Sequence, residues 1–151
     1  MEWLKDLVTN PYIIAALGAW FVAQLSKGLL YLIVNKEFSF KRMLGDGGMP
    51  SGHSATIVGI TTMAACKNGF GSFAFAISLI LAVIVCRDAI GVRLETERQS
   101  ELLNDLKRGA STEKLRGMHF REHVGHTVPE VFVGAIVGAV VSCALYFLLF
   151  A

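Results

Sequence analysis

Residues 131–151 read VFVGAIVGAVVSCALYFLLFA, a run without a single charged side chain. A helix that crosses a membrane needs about 20 predominantly apolar residues. The whole chain has only 151 residues, and a soluble domain of that size has too little interior to bury so apolar a run. The C-terminal run therefore predicts a membrane-spanning helix.

Three further uncharged runs precede it, at residues 10–26, 51–66 and 68–86. The first and third are long enough to span a bilayer, whereas the run at 51–66 is shorter and marginal. Hydrophobic residues make up 54% of the chain and charged residues 17%, which disfavours a soluble all-helical protein. We therefore predict an all-α integral membrane bundle of about four spanning helices with a cytoplasmic helical extension, built as one domain over residues 1–151.

Lysine and arginine are concentrated on one side of this predicted topology. If the chain crosses at each run, residues 35–49 and 87–125 share one side, and only Lys5 and Lys67 lie on the other. The positive-inside rule makes the richer side cytoplasmic, with both termini on the opposite side. The cations of the richer side are Lys36, Lys41, Arg42, Arg87, Arg93, Arg98, Lys107, Arg108, Lys114, Arg116 and Arg121.

Lys27 interrupts the first predicted helix, which should extend from Pro11 to about Asn35. At 1.5 Å per residue the lysine lies roughly 12 Å from the end of that helix. A charge at such depth is costly unless it faces a polar interior. The alternative is that its long side chain reaches the membrane surface.

A first cluster of polar and small residues is GDGGMPSGHSA, at residues 45–55. Glycines and a proline lead into a predicted helix with Ser51 as its N-cap and His53 in its first turn. Free N–H groups at a helix start form an anion site, and a histidine there can exchange a proton near neutral pH. Alone, the segment also fits a capped helix with an interfacial histidine.

A second cluster is REHVGHTVPEVFVGAIVG, at residues 121–138. His126 and Glu130 are four apart and share a helix face. A carboxylate bonded to one ring nitrogen leaves the other free to attack an electrophile. Thr127 and Glu130 also match a capping box, and both interpretations can hold together.

Together, GGMPSGHSA, DAIGVR and GHTVPEVFVGAIVG resemble the superfamily of type 2 phosphatidic acid phosphatases and vanadium haloperoxidases, and in particular its divergent small membrane branch. The resemblance covers the chain from about Gln24 onward. It implies a membrane phosphatase that hydrolyses a phosphomonoester or diphosphate of a lipid through a phosphohistidine. Partners would be the lipid substrate and the bilayer, with a homo-oligomer possible and no nucleic acid; no cofactor or metal is expected.

The resemblance also assigns roles to residues. His126 is the expected nucleophile, His53 the acid that protonates the leaving oxygen, and Glu130 the acid that orients the nucleophile. Ser51 and Gly52 are expected to hold phosphoryl oxygens.

The chain departs from the family pattern in its cations. The usual lysine and arginine before a proline are missing, and Lys27 and Arg42 are the nearest candidates. Arg121 stands five residues before His126 without the usual serine, and the orienting acid is glutamate in place of aspartate. Arg93 is a further candidate phosphate ligand. Asp88 could orient Arg93, bind a metal or pair with a surface cation.

Several alternatives stay open at this point. His119, His123 and His126 could form a metal site, although they lack a clear fourth ligand. Vanadate-dependent halide oxidation shares the same pocket chemistry, and a non-catalytic lipid-binding or adaptor protein would fit the altered cations. Gln99, Asn104 and the charges near them are expected on a solvated helix face. Gly134, Gly138 and Ser142 are expected to pack inside the monomer, with dimerisation as the alternative.

Overall fold

The computed structural model describes residues 2–37, 39–43, 45, 47–108 and 125–151. Within these ranges every regular element is an α-helix, which confirms the all-α prediction. In chain order the helices are α1 (Glu2–Val8), α2 (Pro11–Asn35), α3 (Phe40–Met43), α4 (Gly52–Asn68), α5 (Phe73–Ile90), α6 (Val92–Arg108) and α7 (Val128–Leu149).

Three segments are long and apolar enough to cross a membrane, which confirms the prediction of a membrane bundle. They are α2, the 35-residue stretch Phe73–Lys107 that α5 and α6 form together, and α7. The polar α6 thus forms a helical extension of the third span. The marginal run at residues 51–66 forms α4, which is only 17 residues long and is not among the three spans.

Side-chain caps fix where the helices begin. Directly before Pro11, the Asn10 side chain accepts a hydrogen bond from the N–H of Tyr12 (2.9 Å). Ser51 caps α4 by accepting from the N–H of Ser54 (3.4 Å), and Ser72 caps α5 in the same way. Each oxygen replaces an acceptor that the first turn of a helix lacks. The predicted starts of α2, α4 and α7 are confirmed.

Helix α4 is the centre of the bundle, because it packs against α2, α5 and α7. At its C-terminal end, the Tyr12 hydroxyl of α2 donates a hydrogen bond to the Asn68 side chain. At its N-terminal end, the Ser51 N–H donates to the carbonyl oxygen of Glu130 in α7 (3.0 Å). Helix α4 therefore runs antiparallel to α2 and parallel to α7.

The contact between α4 and α7 depends on small residues. A Cβ on Gly134 would lie 2.5 Å from the Ser51 carbonyl oxygen, and one on Gly138 would overlap the carbonyl oxygen of Ala55. One turn further, the Ser142 hydroxyl donates to the carbonyl oxygen of Gly59 (2.7 Å). The small residues of α7 thus pack inside the monomer, as expected, and hold two backbones in close contact.

Small residues also line the contact between α4 and α2. Ala15, Ala19 and Ala23 of α2 are fully buried, and a Cβ on Gly59 would lie 3.0 Å from the Ala19 Cβ. The central helix therefore makes close contacts with both α2 and α7.

We predict that Gly138→Ala destabilises the bundle. The added methyl would overlap backbone that cannot move without separating α4 from α7, and overpacking of this kind costs about 1–3 kcal/mol. Thermal unfolding in detergent micelles measures the effect. Gly71→Ala is the matched control, because its Cβ would meet nothing within 4 Å. Equal stability of the two variants would contradict the packing described.

Candidate active site

The two sequence clusters meet where α4 and α7 begin. The hydrogen bond from the Ser51 N–H to the Glu130 carbonyl oxygen joins the two helix starts directly. The imidazole rings of His53 and His126 have centroids 6.4 Å apart, so that one small group could contact both. Residues from two distant parts of the sequence therefore form one site.

The backbone that carries His126 is held at three successive N–H groups. The Gly125 N–H donates to Glu97 Oε2 of α6 (3.0 Å), and the His126 N–H donates to the carbonyl oxygen of Ala89 in α5 (3.1 Å). The Thr127 N–H donates to Glu130 Oε2 (2.9 Å). The segment that precedes α7 is thus hydrogen-bonded to α5, to α6 and to the first turn of α7 itself.

Gly125 lies so close to the start of α6 that no side chain fits at this position. A Cβ at this position would overlap the Cα of Leu94 and lie 2.6 Å from its nitrogen. Only glycine lets the segment before α7 lie directly on the start of α6. That contact determines how deeply the next residue, His126, enters the bundle.

The His126 side chain is buried, with 1% of its surface exposed. Its Nδ1 lies 3.3 Å from Glu130 Oε2, so the carboxylate favours the tautomer with a proton on Nδ1. Its Nε2 is buried and has no hydrogen-bond partner among the residues that the structure describes. Glu130 contacts both His126 and the Thr127 N–H through the same oxygen, so the orienting contact and the backward half of the capping box coexist.

His53, Ser51 and Gly52 surround the start of α4. His53 is exposed, whereas Ser51 and Gly52 are buried. The Ser51 Oγ accepts hydrogen bonds from the N–H and the hydroxyl of Ser54 (3.4 and 3.0 Å), and its own hydroxyl proton can serve another acceptor. The N–H groups of Gly52 and His53 lie in the first turn, where the helix offers no acceptor.

Lys27 is buried inside the bundle, with 6% of its surface exposed. Its Nζ donates a hydrogen bond to the Gly45 carbonyl oxygen, in the loop before α4 (2.8 Å). The side chain therefore contacts the loop before α4 from within the bundle. Its charge is one of the causes that lower the pKa of His126, after burial.

Asp88 and Arg93 form an ion pair at the junction of α5 and α6, with Arg93 Nε 2.6 Å from Asp88 Oδ2. This ion pair fits both the orientation of Arg93 by Asp88 and a pairing of Asp88 with a surface cation, since both side chains are partly exposed. The same junction supplies the Ala89 carbonyl oxygen that holds His126, and the Arg93 backbone lies beside Gly125. The Arg93 backbone therefore lies directly beside the segment that carries His126.

The remaining predicted residues fall outside what the structure describes. Arg42 lies on α3, but its side chain is not described, and Arg121 lies in the segment 109–124, outside the described residues. His119 and His123 of the metal alternative lie there too. Within the described ranges, no three histidine, cysteine or acidic residues form a cluster that could hold a metal.

Sequence reasoning missed three groups near the site and misjudged one. Glu97 and the Ala89 carbonyl oxygen hold the His126 segment, and Gln24 is a buried amide on α2. No local pattern marks any of them. Asn104, expected on a solvated face, is buried, so that expectation was wrong.

Burial lowers the pKa of His126 below its ordinary value of about 6.5, because removal from water disfavours the charged ring. The hydrogen bond and the charge of Glu130 act in the opposite direction and raise the pKa, whereas the charges of Lys27 and His53 lower it further. The net result is a neutral imidazole at neutral pH, the form in which a ring nitrogen is nucleophilic.

The chain is similar in sequence to known proteins. A sequence model of the divergent PAP2 family matches residues 8–141, a segment that includes every candidate site residue. The uncharacterized membrane protein YuiD of Bacillus subtilis (strain 168) is 32% identical over 154 residues, which cover 93% of this chain and 96% of that protein. No solved structure matches the chain.

We predict that His126 titrates below about pH 6.5 in the folded protein. As the pH falls, the unfolded chain then takes up this proton first, so protonation of His126 lowers the stability of the fold. NMR titration of ¹⁵N-labelled imidazoles in micelles measures the pKa. Glu130→Gln should lower it further, because the carboxylate raises it. A pKa at or above the ordinary value, or one that the Glu130→Gln change leaves unaltered, would disprove this electrostatic account.

Proposed function

This chain belongs to the divergent PAP2 family, and from this premise we propose that it hydrolyses phosphate esters of lipids in the membrane. The proposed reaction proceeds in two steps through a phosphohistidine on His126. The rest of the proposal follows from the side chains at the starts of α4 and α7.

The observation that carries the proposal is the state of the His126 ring. Glu130 binds Nδ1 (3.3 Å), and the opposite nitrogen, Nε2, is buried and lacks a protein partner among the described residues. A neutral ring oriented by a carboxylate and fixed through its own backbone is the arrangement that nucleophilic catalysis requires. A histidine with only a packing role would ordinarily have both nitrogens satisfied.

In the first step, His126 Nε2 forms a bond to phosphorus and the bond from phosphorus to the lipid oxygen breaks. His53 gives its proton to that oxygen, so the lipid leaves as a neutral alcohol. In the second step, water attacks the phosphohistidine and returns the electron pair to Nε2, while His53 takes up a proton from the water. The products are the lipid alcohol and inorganic phosphate, and both histidines are restored.

The phosphoryl oxygens need donors and positive charge, because negative charge spreads over them in the transition state. We assign this role to the Ser51 hydroxyl, the Gly52 N–H, and the cations Lys27 and Arg93. The support is that Lys27 is buried and its charge acts on His126. In addition, Asp88 pairs with Arg93 through Nε, which leaves the terminal nitrogens of the guanidinium for an anion. Arg42 and Arg121 stay further candidates.

A lipid phosphate suits the position of this site in the bundle. The site lies at the N-terminal ends of α4 and α7, and α7 spans the membrane, so a phosphate there stays close to lipid. We propose that the lipid tail remains in the bilayer during the reaction. We further propose that the site faces the cytoplasm, since most lysines and arginines lie on this side of the predicted topology.

We predict that His126→Ala abolishes turnover of ³²P-labelled lipid phosphates, a loss on the order of 10⁴-fold or more, and abolishes covalent labelling of the protein. His53→Ala should still be labelled on His126, more slowly. A nitrophenyl phosphate should partly restore its rate, because that leaving group needs no proton. The measurements are phosphate release and identification of the labelled residue.

Label on His53 would reverse the two assignments. Release of phosphate by His126→Ala at the wild-type rate would refute the mechanism. A wild-type protein that binds lipid phosphates without hydrolysing any of them would support the alternative of a non-catalytic lipid-binding protein.

We also predict that Lys27→Met and Arg93→Gln each lower kcat/KM by roughly 100- to 1,000-fold, the scale of one lost transition-state donor. Lys67→Met is the matched control, since Lys67 is an exposed cation at the opposite end of α4. Thermal unfolding should verify that each variant is folded. Wild-type turnover in the Lys27 or Arg93 variant would remove that cation from the proposed site.

A further inference from the structure

Gln24 is a buried amide on α2 that the proposed mechanism leaves without a role. It lies in a membrane-spanning helix, and only 7% of its surface is exposed. Its Oε1 has no hydrogen-bond partner among the residues that the structure describes. Buried polar atoms are nearly always hydrogen-bonded, so an exception of this kind needs an explanation.

The amide lies directly against the start of α4. Gln24 Nε2 is 3.7 Å from the place that a Cβ on Gly52 would occupy, and Gly52 is one of the residues proposed to hold phosphoryl oxygens. Lys27 follows three residues later, on the same face of α2, and is also buried. Gln24 therefore borders the proposed phosphate site, on the side formed by α2.

The partner that Gln24 Oε1 requires must carry a hydrogen, because an amide oxygen can only accept. The oxygens of a phosphohistidine do not supply one at neutral pH, whereas the water that hydrolyses this intermediate does. We infer that Gln24 binds this water through Oε1 and directs it at phosphorus. The inference rests on the proposed function and makes Gln24 a catalytic residue of the second step.

The step balances without a change at the amide. The water oxygen bonds to phosphorus, the bond from phosphorus to His126 Nε2 breaks, and its electron pair returns to that nitrogen. One water proton goes to His53, which became neutral when it protonated the lipid oxygen. The other hydrogen points at Gln24 Oε1 and stays on the product phosphate.

Rapid-quench measurements with a ³²P-labelled lipid phosphate test this role, because they separate the two steps. Gln24→Leu should form the phosphohistidine at nearly the wild-type rate but hydrolyse it roughly 10- to 100-fold more slowly. This loss of rate is smaller than the one caused by removing a hydrogen-bond donor that stabilises charge in the transition state. The variant should therefore accumulate the phosphohistidine at steady state. Thr61→Val is the matched control: it removes an equally buried polar group whose hydroxyl contacts Ile57 and Ser78, and it should not accumulate the intermediate.

A second measurement needs no lipid. Reversal of the second step exchanges oxygen between water and ¹⁸O-labelled inorganic phosphate, and Gln24→Leu should lose this exchange while Thr61→Val keeps it. If Gln24→Leu does not fold, Gln24→Asn, whose shorter amide withdraws the oxygen from the water, should give the same results.

Three outcomes would overturn the inference. Equal slowing of both steps would make Gln24 a structural residue or a phosphate ligand, and wild-type hydrolysis of the intermediate in the variants would remove it from the reaction. A wild-type protein that forms no phosphohistidine would refute the proposed function itself, and the role of Gln24 with it.

Discussion

The parallel contact between α4 and α7 is the constraint on which the rest of the structure depends. Apolar side chains gain little from burial against one another inside a bilayer, so helices associate there mainly through close packing and hydrogen bonds. Gly134 and Gly138 allow backbone to meet backbone, and Ser142 adds a hydrogen bond to Gly59. Because the two helices run in the same direction, this contact brings both of their N-terminal ends, and hence His53 and His126, to one place.

This geometry has an electrostatic consequence. The N-terminal end of a helix carries a partial positive charge, and two such ends side by side favour an anion between them. Lys27 adds a buried cation nearby. Burial is the main cause that lowers the pKa of His126, and the charges of Lys27 and His53 lower it further. A cation that suits a phosphate thus also favours the neutral form of the proposed nucleophile.

The sequence predicted the elements better than their contacts. Pro11, Ser51 and Thr127 are local signals, so the starts of α2, α4 and α7 could be found without a structure. The spacing of His126 and Glu130 likewise lies within one helical turn, and the structure places the two side chains in contact. Glu97 and Gln24 could not be found in this way, because their positions beside the site arise only when α6 and α2 pack against it. The long polar stretch of α6 shows no sequence pattern that separates Glu97 and Asn104 from solvated neighbours.

The proposed mechanism requires that a phosphoryl group is held between the starts of α4 and α7 and is attacked by His126. A structure of the protein with bound orthovanadate tests this claim most directly, because vanadate adopts the geometry of the phosphoryl-transfer transition state. We predict vanadium bonded to His126 Nε2, equatorial oxygens at Ser51 and Gly52, and the apical oxygen opposite His126 facing His53. Vanadate bonded to His53, or bound away from the starts of these two helices with His126 Nε2 still buried and unbonded, would contradict it.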